Sequence, residues 1–217
     1  MAIASAPTPT IRQALTPVAA LLFGVAFLYA GHGLQATLVP LRAEWEGFSP
    51  VWVGLLGSSY FAGFVLGCVI GPKIILSAGH IRAFAAMVSL ASAAAIAFPR
   101  IIIGFCLAGI FVIIESWLND KTTNATRGLT MSTYTILSLA MITIGQLVVT
   151  VYPLDSFALF AIASVLFSLA AVPVALTRAS QPAPVPVVRF RPWRLYAIAP
   201  AAFAAACRIG MANGAFW

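Results

Sequence analysis

The sequence predicts an all-α integral membrane protein, a six-helix transmembrane bundle followed by a truncated seventh span. Three observations predict it. The 217 residues are 62% apolar and only 8% charged, with a mean hydropathy of +1.02, whereas soluble domains carry roughly 45–50% apolar and about 25% charged residues. The same figures exclude a disordered chain, which needs low hydrophobicity and high charge. The apolar residues also form continuous runs near the ~20 residues that cross a bilayer as a helix, unlike the alternating segments of about ten residues in a membrane β-barrel. Finally, the cationic residues gather on alternate connections between the runs.

Residues 1–14 form a Pro- and Thr-rich head whose one charge is Arg12. Span one runs from about Leu15 to Pro40. It is too long for a signal-peptide core and is followed by further spans, so it reads as an uncleaved first helix. Span two covers about Val51 to Ile70, span three about Ile81 to Phe98, span four about Ile101 to Trp117, and span five about Leu129 to Val151. The turn Tyr152-Pro153-Leu154-Asp155 leads into span six, about Phe157 to Leu176, which completes a bundle over residues 15–176. Residues 177–195 contain Pro182, Pro184, Pro186 and Pro192 together with Arg178, Arg189, Arg191 and Arg194. They read as an extended basic linker outside the bilayer. Residues 196–217 start a seventh apolar run that is cut off at Trp217.

Charge sets the orientation. With the N-terminus inside, the inner face receives Arg12, Lys73, Arg82, Lys121, Arg127 and the four linker arginines, and the outer face only Arg42 and Arg100. That is a positive-inside pattern, and it places the chain in a cell (inner or plasma) membrane with a cytoplasmic N-terminus. It also accounts for the net charge of +7 without a nucleic-acid partner. The one weak point is the Pro99-Arg100 break between spans three and four. From Arg82 to Trp117 the chain would measure about 54 Å as helix against about 60 Å for two full crossings, so the hairpin is short. A single crossing would move the linker arginines outside, against the charge rule, and two crossings are therefore kept.

Candidate functional residues are the small and polar ones within the spans. Gly63, Gly67 and Gly71 recur every four residues and form a stripe where another backbone can approach closely, suited to tight packing or to helices that rock between two states. His32 and Gln35 share a face of span one beside Gly31 and Gly33. His32 fits either a hydrogen bond to a neighbouring helix or a protonatable, cavity-lining position, and Gln146 beside Gly145 fits either interhelical bonding or substrate contact. Arg100 and Glu115 bracket span four, about 22 Å apart along an ideal helix, and must find separate partners. Glu115 fits either an interfacial anchor with Trp117 at headgroup level or a charge relay with a basic loop residue such as Arg127. Arg208 lies deep in the last run, where it must face a cavity or snorkel.

Enzyme chemistry finds no constellation here: no HExxH, GxSxG, phosphate loop or cysteine pair. Cys68, Cys106 and Cys207 all fall inside apolar runs and read as packing residues, with neither a metal nor a cofactor implied.

Several strings carry a family resemblance. They are Gly31-His32-Gly33-Leu34-Gln35-Ala36-Thr37-Leu38-Val39-Pro40-Leu41-Arg42, Gly71-Pro72-Lys73 through Gly79-His80-Ile81-Arg82, Glu115-Ser116-Trp117-Leu118-Asn119, Thr122-Thr123-Asn124 to Arg127-Gly128, and Ala212-Asn213-Gly214-Ala215-Phe216-Trp217. Together with the span plan, they resemble the first half of a major facilitator superfamily transporter, in the bacterial branch called YcaD-like. The resemblance implies half of a 12-helix fold that moves a small molecule, with or without protons, between two six-helix halves by alternating access. It makes His32, Gln35, Arg100 and Gln146 cavity candidates, and Lys73, Arg82, Glu115 and Arg127 gating or charge-relay candidates. Two departures stand out. The loop after span two lacks the Asp-Arg pair of the superfamily signature, keeping Gly71, Lys73, Gly79 and Arg82. Arg100-Ile-Ile-Ile-Gly104 resembles an arginine motif that relatives carry inside the fourth helix, yet here it directly follows span three. The chain is thus expected to be an N-terminal half or a truncated gene product that needs a second half. The alternative is a non-transporting six-span protein, either an assembly subunit or a homodimer built on the Gly63 stripe.

Overall fold

The computed structural model describes residues 15–97 and 100–176, with residues 96 and 97 described by backbone alone. The N-terminal head, the basic linker and the seventh apolar run, Arg208 included, lie outside the described residues. A 3-10 turn, Thr16–Val18, leads into six helices: α1 (Ala19–Trp45), α2 (Pro50–Ala78), α3 (His80–Ala97), α4 (Arg100–Lys121), α5 (Arg127–Val148) and α6 (Ala158–Leu176). All except α3 are long and apolar enough to cross a membrane by length and composition; His80–Ala95 forms a shorter apolar helix.

The helix limits follow local chemistry. Pro50 opens α2 after Ser49, where the fixed proline φ suits the first turn and the missing N–H would have no intrahelical acceptor. The first correction to the sequence reading concerns the end of that helix. The segment from Gly71 was expected to leave the membrane as a loop, but α2 continues through Pro72 to Ala78. Ile74, Ile75 and Leu76 extend the apolar run, and Lys73 is therefore an exposed helical residue. The turn is confined to Gly79, whose φ of 81° is a left-handed conformation that favours glycine. At about 43 Å, α2 exceeds the ~30 Å hydrocarbon core by about two and a half turns.

The helices pack in an internally symmetric pattern. Helix α1 lies against α5 and α6, α4 lies against α2 and α3, and α3 and α6 lie against each other. Exchanging α1–α3 for α4–α6 maps this pattern onto itself. The two central helices are α1 and α4, with 61% of their apolar windows buried, against 11% for α2 and α5. Two glycine crossings repeat the symmetry at atomic detail. A Cβ at Gly63 would strike the carbonyl oxygen of Ile101, and one at Gly104 that of Tyr60; likewise, a Cβ at Gly33 would strike the carbonyl oxygen of Ile142, and one at Gly145 that of Ala30. In both crossings each glycine faces the carbonyl three residues before its partner. Such backbone contact drives helix association where lipid removes most of the hydrophobic incentive.

Gly67 continues the stripe against Phe105 and Ala108, and Gly71 meets the Cα of Gly109. The stripe expected from the sequence is therefore used up inside the bundle, between α2 and α4. It offers no surface to a second copy, and the homodimer built on Gly63 is corrected on that ground. Fully buried Leu28, Leu34, Phe84, Leu107, Ile110, Ile114 and Phe167 fill the space around α1, α3, α4 and α6. Across the two-fold contact, the Ser92 hydroxyl lies 2.8 Å from both Ser164 Oγ and Ser168 Oγ, so these three hydroxyls partner one another as a bilayer interior requires.

The register of α2 on α4 sets the depth of the third hairpin. Gly63 faces the Ile101 carbonyl while Gly104 faces that of Tyr60, and Gly67 and Gly71 follow against Phe105, Ala108 and Gly109, so the two helices run parallel with Gly63 level with Gly104 and the start of α4 level with Ser59. About 13 Å of α2, from Pro50 to Ser58, stands beyond the start of α4. The short hairpin read from the sequence thus has a structural consequence: it leaves a space beside α1 and α2.

Candidate functional site

That space is a cavity of about 370 Å³. Helix α1 contributes His32, Ala36, Val39 and Pro40, and α2 contributes Val53, Leu56, Gly57, Tyr60, Phe61 and Phe64. Arg100, from the first turn of α4, supplies the lining's formal charge. Its volume falls within the ~300–1,000 Å³ of small-molecule sites, and its character is theirs too, apolar walls with a few polar groups.

The depth of each polar side chain follows from the helix that carries it. His32 sits near the middle of α1 because that helix continues to Trp45, five residues past the expected Pro40. Arg100 was assigned from the sequence to the outer end of span four. The α2 register instead carries it to mid-depth, where it is 9% exposed and its Cζ lies 5.2 Å from the centre of the Tyr60 ring. The His32 ring stacks on Tyr60, 6.1 Å away at 20° between planes. A cation over a desolvated aromatic face gains about 2 kcal/mol, and the geometry holds Arg100, Tyr60 and His32 together as one polar cluster at the base of the cavity.

Below the cluster, aromatic rings close the bundle. His32 meets Phe111 edge-on at 6.3 Å, Phe111 stacks on Tyr29 at 5.4 Å, and Phe64 lies 6.0 Å from Phe111. Tyr29 and Tyr134 share a 2.7 Å hydrogen bond between hydroxyls. The layer joins α1, α2, α4 and α5 and separates the cavity from the end of the bundle that carries Glu115. Sequence reasoning missed these rings. It did not single out Tyr29, Tyr60 or Tyr134, although a phenol hydroxyl inside a span needs a partner like any other polar group.

The remaining candidates lie elsewhere. Gln35 is buried, with its Oε1 unpartnered, but it does not line this cavity. Gln146 is exposed near the end of α5. Glu115 is exposed and, among the described residues, has no ion pair. Arg127 donates from Nη2 to Asn119 Oδ1 at 2.6 Å, so the structure brings Arg127 to Asn119 and not to Glu115. Arg82 is an exposed residue in the first turn of α3, with Lys73 on α2. Trp117 is 3% exposed and meets His80 edge-on at 6.5 Å, because the turn at Gly79 folds α3 back onto α4. At the opposite end Arg42, expected in a loop, caps α1. It pairs with Glu46 at 2.5 Å and donates to the Leu154 carbonyl, tying α1 to the α5–α6 turn.

Among proteins of known description, the chain is similar to an uncharacterized MFS-type transporter of Enterobacter sp. (strain 638), 29% identical over 174 residues, which is 75% of this chain and 45% of that protein. It is also similar to the uncharacterized MFS-type transporter YcaD of Escherichia coli O45:K1 (strain S88 / ExPEC), 30% identical over 144 residues, 61% of this chain and 38% of that protein. The chain thus spans less than half the length of the curated relatives it matches. No family model and no solved structure matches it.

Proposed function

We propose that this chain, a multi-pass membrane homologue of MFS-type transporters, forms one six-helix half of a transporter that moves a small molecule by alternating access, with the cavity at Arg100 and His32 as its half of the solute site. The observation that carries this reading is the cluster itself. An ionisable side chain at mid-depth of a bundle is costly unless it serves a pathway or a ligand, and here it lies in a cavity of solute size. The lightly buried α2 and α5 supply the faces against which a second bundle would rock. With the N-terminus cytoplasmic in the inner membrane, the cavity opens outward, and the aromatic layer from His32 to Tyr134 is the barrier to the inside. No catalytic role is assigned.

The test is vesicle flux. The full chain is co-expressed with the C-terminal helices of the Enterobacter relative, reconstituted into vesicles loaded with a small-molecule extract of bacterial cells, and efflux is followed by mass spectrometry. At least one solute is expected to leave several-fold faster with both parts than with either alone, and to lose that advantage in His32→Ala. Saturable, His32-dependent flux through the chain alone would contradict the need for a second bundle. No difference for any solute would contradict the transport reading.

A further inference from the structure

The transport reading leaves the class of solute open, and the charge in the cavity narrows it. Arg100 is 9% exposed, its Nε has no hydrogen-bond partner, and among the described residues no carboxylate lies within ion-pair distance of it. A guanidinium buried without a counter-charge is expensive in a low-dielectric interior. Around this charge the walls are Val39, Leu56, Phe61 and Phe64, with Tyr60 under the guanidinium.

On the strength of that transport reading, we infer that the cavity binds a small organic monoanion, a carboxylate carrying an apolar or aromatic body. The guanidinium fork matches a carboxylate through two parallel N–H···O bonds. One fixed cation calls for one negative charge, and the remaining walls take an apolar body. His32, stacked on Tyr60, adds a ring nitrogen on the same cavity. A neutral isostere of the acid would fill the walls equally well but leave the guanidinium uncompensated, so discrimination between acid and amide reads the charge and not the shape.

The full chain, purified in detergent, is titrated by equilibrium dialysis with benzoate, phenylacetate and nicotinate and with the primary amide of each. At least one carboxylate is expected to bind ten-fold or more tightly than its amide. That preference should vanish in Arg100→Gln and survive in part in Arg100→Lys, which keeps the charge without the fork. Tyr60→Leu keeps the guanidinium and should weaken acid and amide together while leaving their ratio. Equal binding of acid and amide, binding of neither, or a preference unchanged in Arg100→Gln overturns the inference. Failure here is distinguishable from failure of the transport reading. Carboxylate preference needs no second bundle and persists if no solute crosses the membrane, whereas a neutral solute carried by the assembled halves would overturn the monoanion and leave transport standing.

Discussion

One methyl group at Gly63 or at Gly145 is expected to destabilise the bundle by about 1–3 kcal/mol, the range for overpacking a close contact, and Gly63→Leu or Gly145→Leu should prevent a monodisperse folded bundle altogether. Each glycine sits where a Cβ would strike a carbonyl oxygen of the central helix it crosses, Ile101 for Gly63 and Ala30 for Gly145. Backbone cannot yield as a flexible side-chain end can, so the helices must separate and lose the packing that holds them. The control is Gly54→Ala, in the same helix as Gly63 but with nothing within 4 Å of the added Cβ; alanine is the better helix former by about 1 kcal/mol, so this change should be neutral or stabilising. Thermal unfolding in detergent micelles measures the three alanine variants. The symmetry adds a sharper condition, that the Gly63 and Gly145 substitutions cost the same within error. Tolerance of either at the level of Gly54→Ala would contradict the close crossings.

Arg100→Leu should move stability and ligand binding in opposite directions. A buried charge without a partner costs several kcal/mol, and the contact with Tyr60 returns only about 2 kcal/mol of it. Removing the charge should therefore stabilise the bundle by about 1 kcal/mol or more while abolishing carboxylate binding. A structural arginine would behave otherwise, since its loss leaves a partner unpaired and destabilises. Thermal unfolding beside the dialysis titration separates the two, and a fall in stability would contradict the picture of Arg100 as an uncompensated site charge.

Much of this architecture is legible in the sequence, since the runs, the alternate cationic connections and the every-fourth-residue glycines each follow from local chemistry. The short hairpin is legible too, from length against the thickness of a bilayer. Its consequence is not. That Arg100 meets Tyr60 and His32 depends on the register of α2 on α4, set by contacts between residues far apart in sequence. The extension of α2 past Ile70 was hidden by Gly71-Pro72, a pair that reads as a loop yet sits in a helix whose neighbours remain apolar. The repeat between α1–α3 and α4–α6 left no readable trace in the side chains, because what it preserves is the position of Gly33, Gly63, Gly104 and Gly145 relative to facing carbonyls. Gln35 and Gln146 were chosen for being polar inside a span, a criterion that finds neither burial nor the wall a side chain faces: Gln35 is buried away from the cavity and Gln146 is exposed.

The central claim is that the space between α1 and α2 is a water-filled solute cavity reached from the side of the α1–α2 turn. It is tested most directly by placing a single cysteine at Ala36, a cavity-lining residue of α1, after replacing Cys68, Cys106 and Cys207 by alanine, and treating intact cells with a membrane-impermeant maleimide. Leu28→Cys and Leu107→Cys, both fully buried, are the dry controls. The account predicts that Ala36→Cys is labelled in intact cells, that both controls stay unlabelled, and that the carboxylate selected by dialysis slows the labelling. Labelling of Ala36→Cys only after the membrane is opened, or not at all, would contradict it.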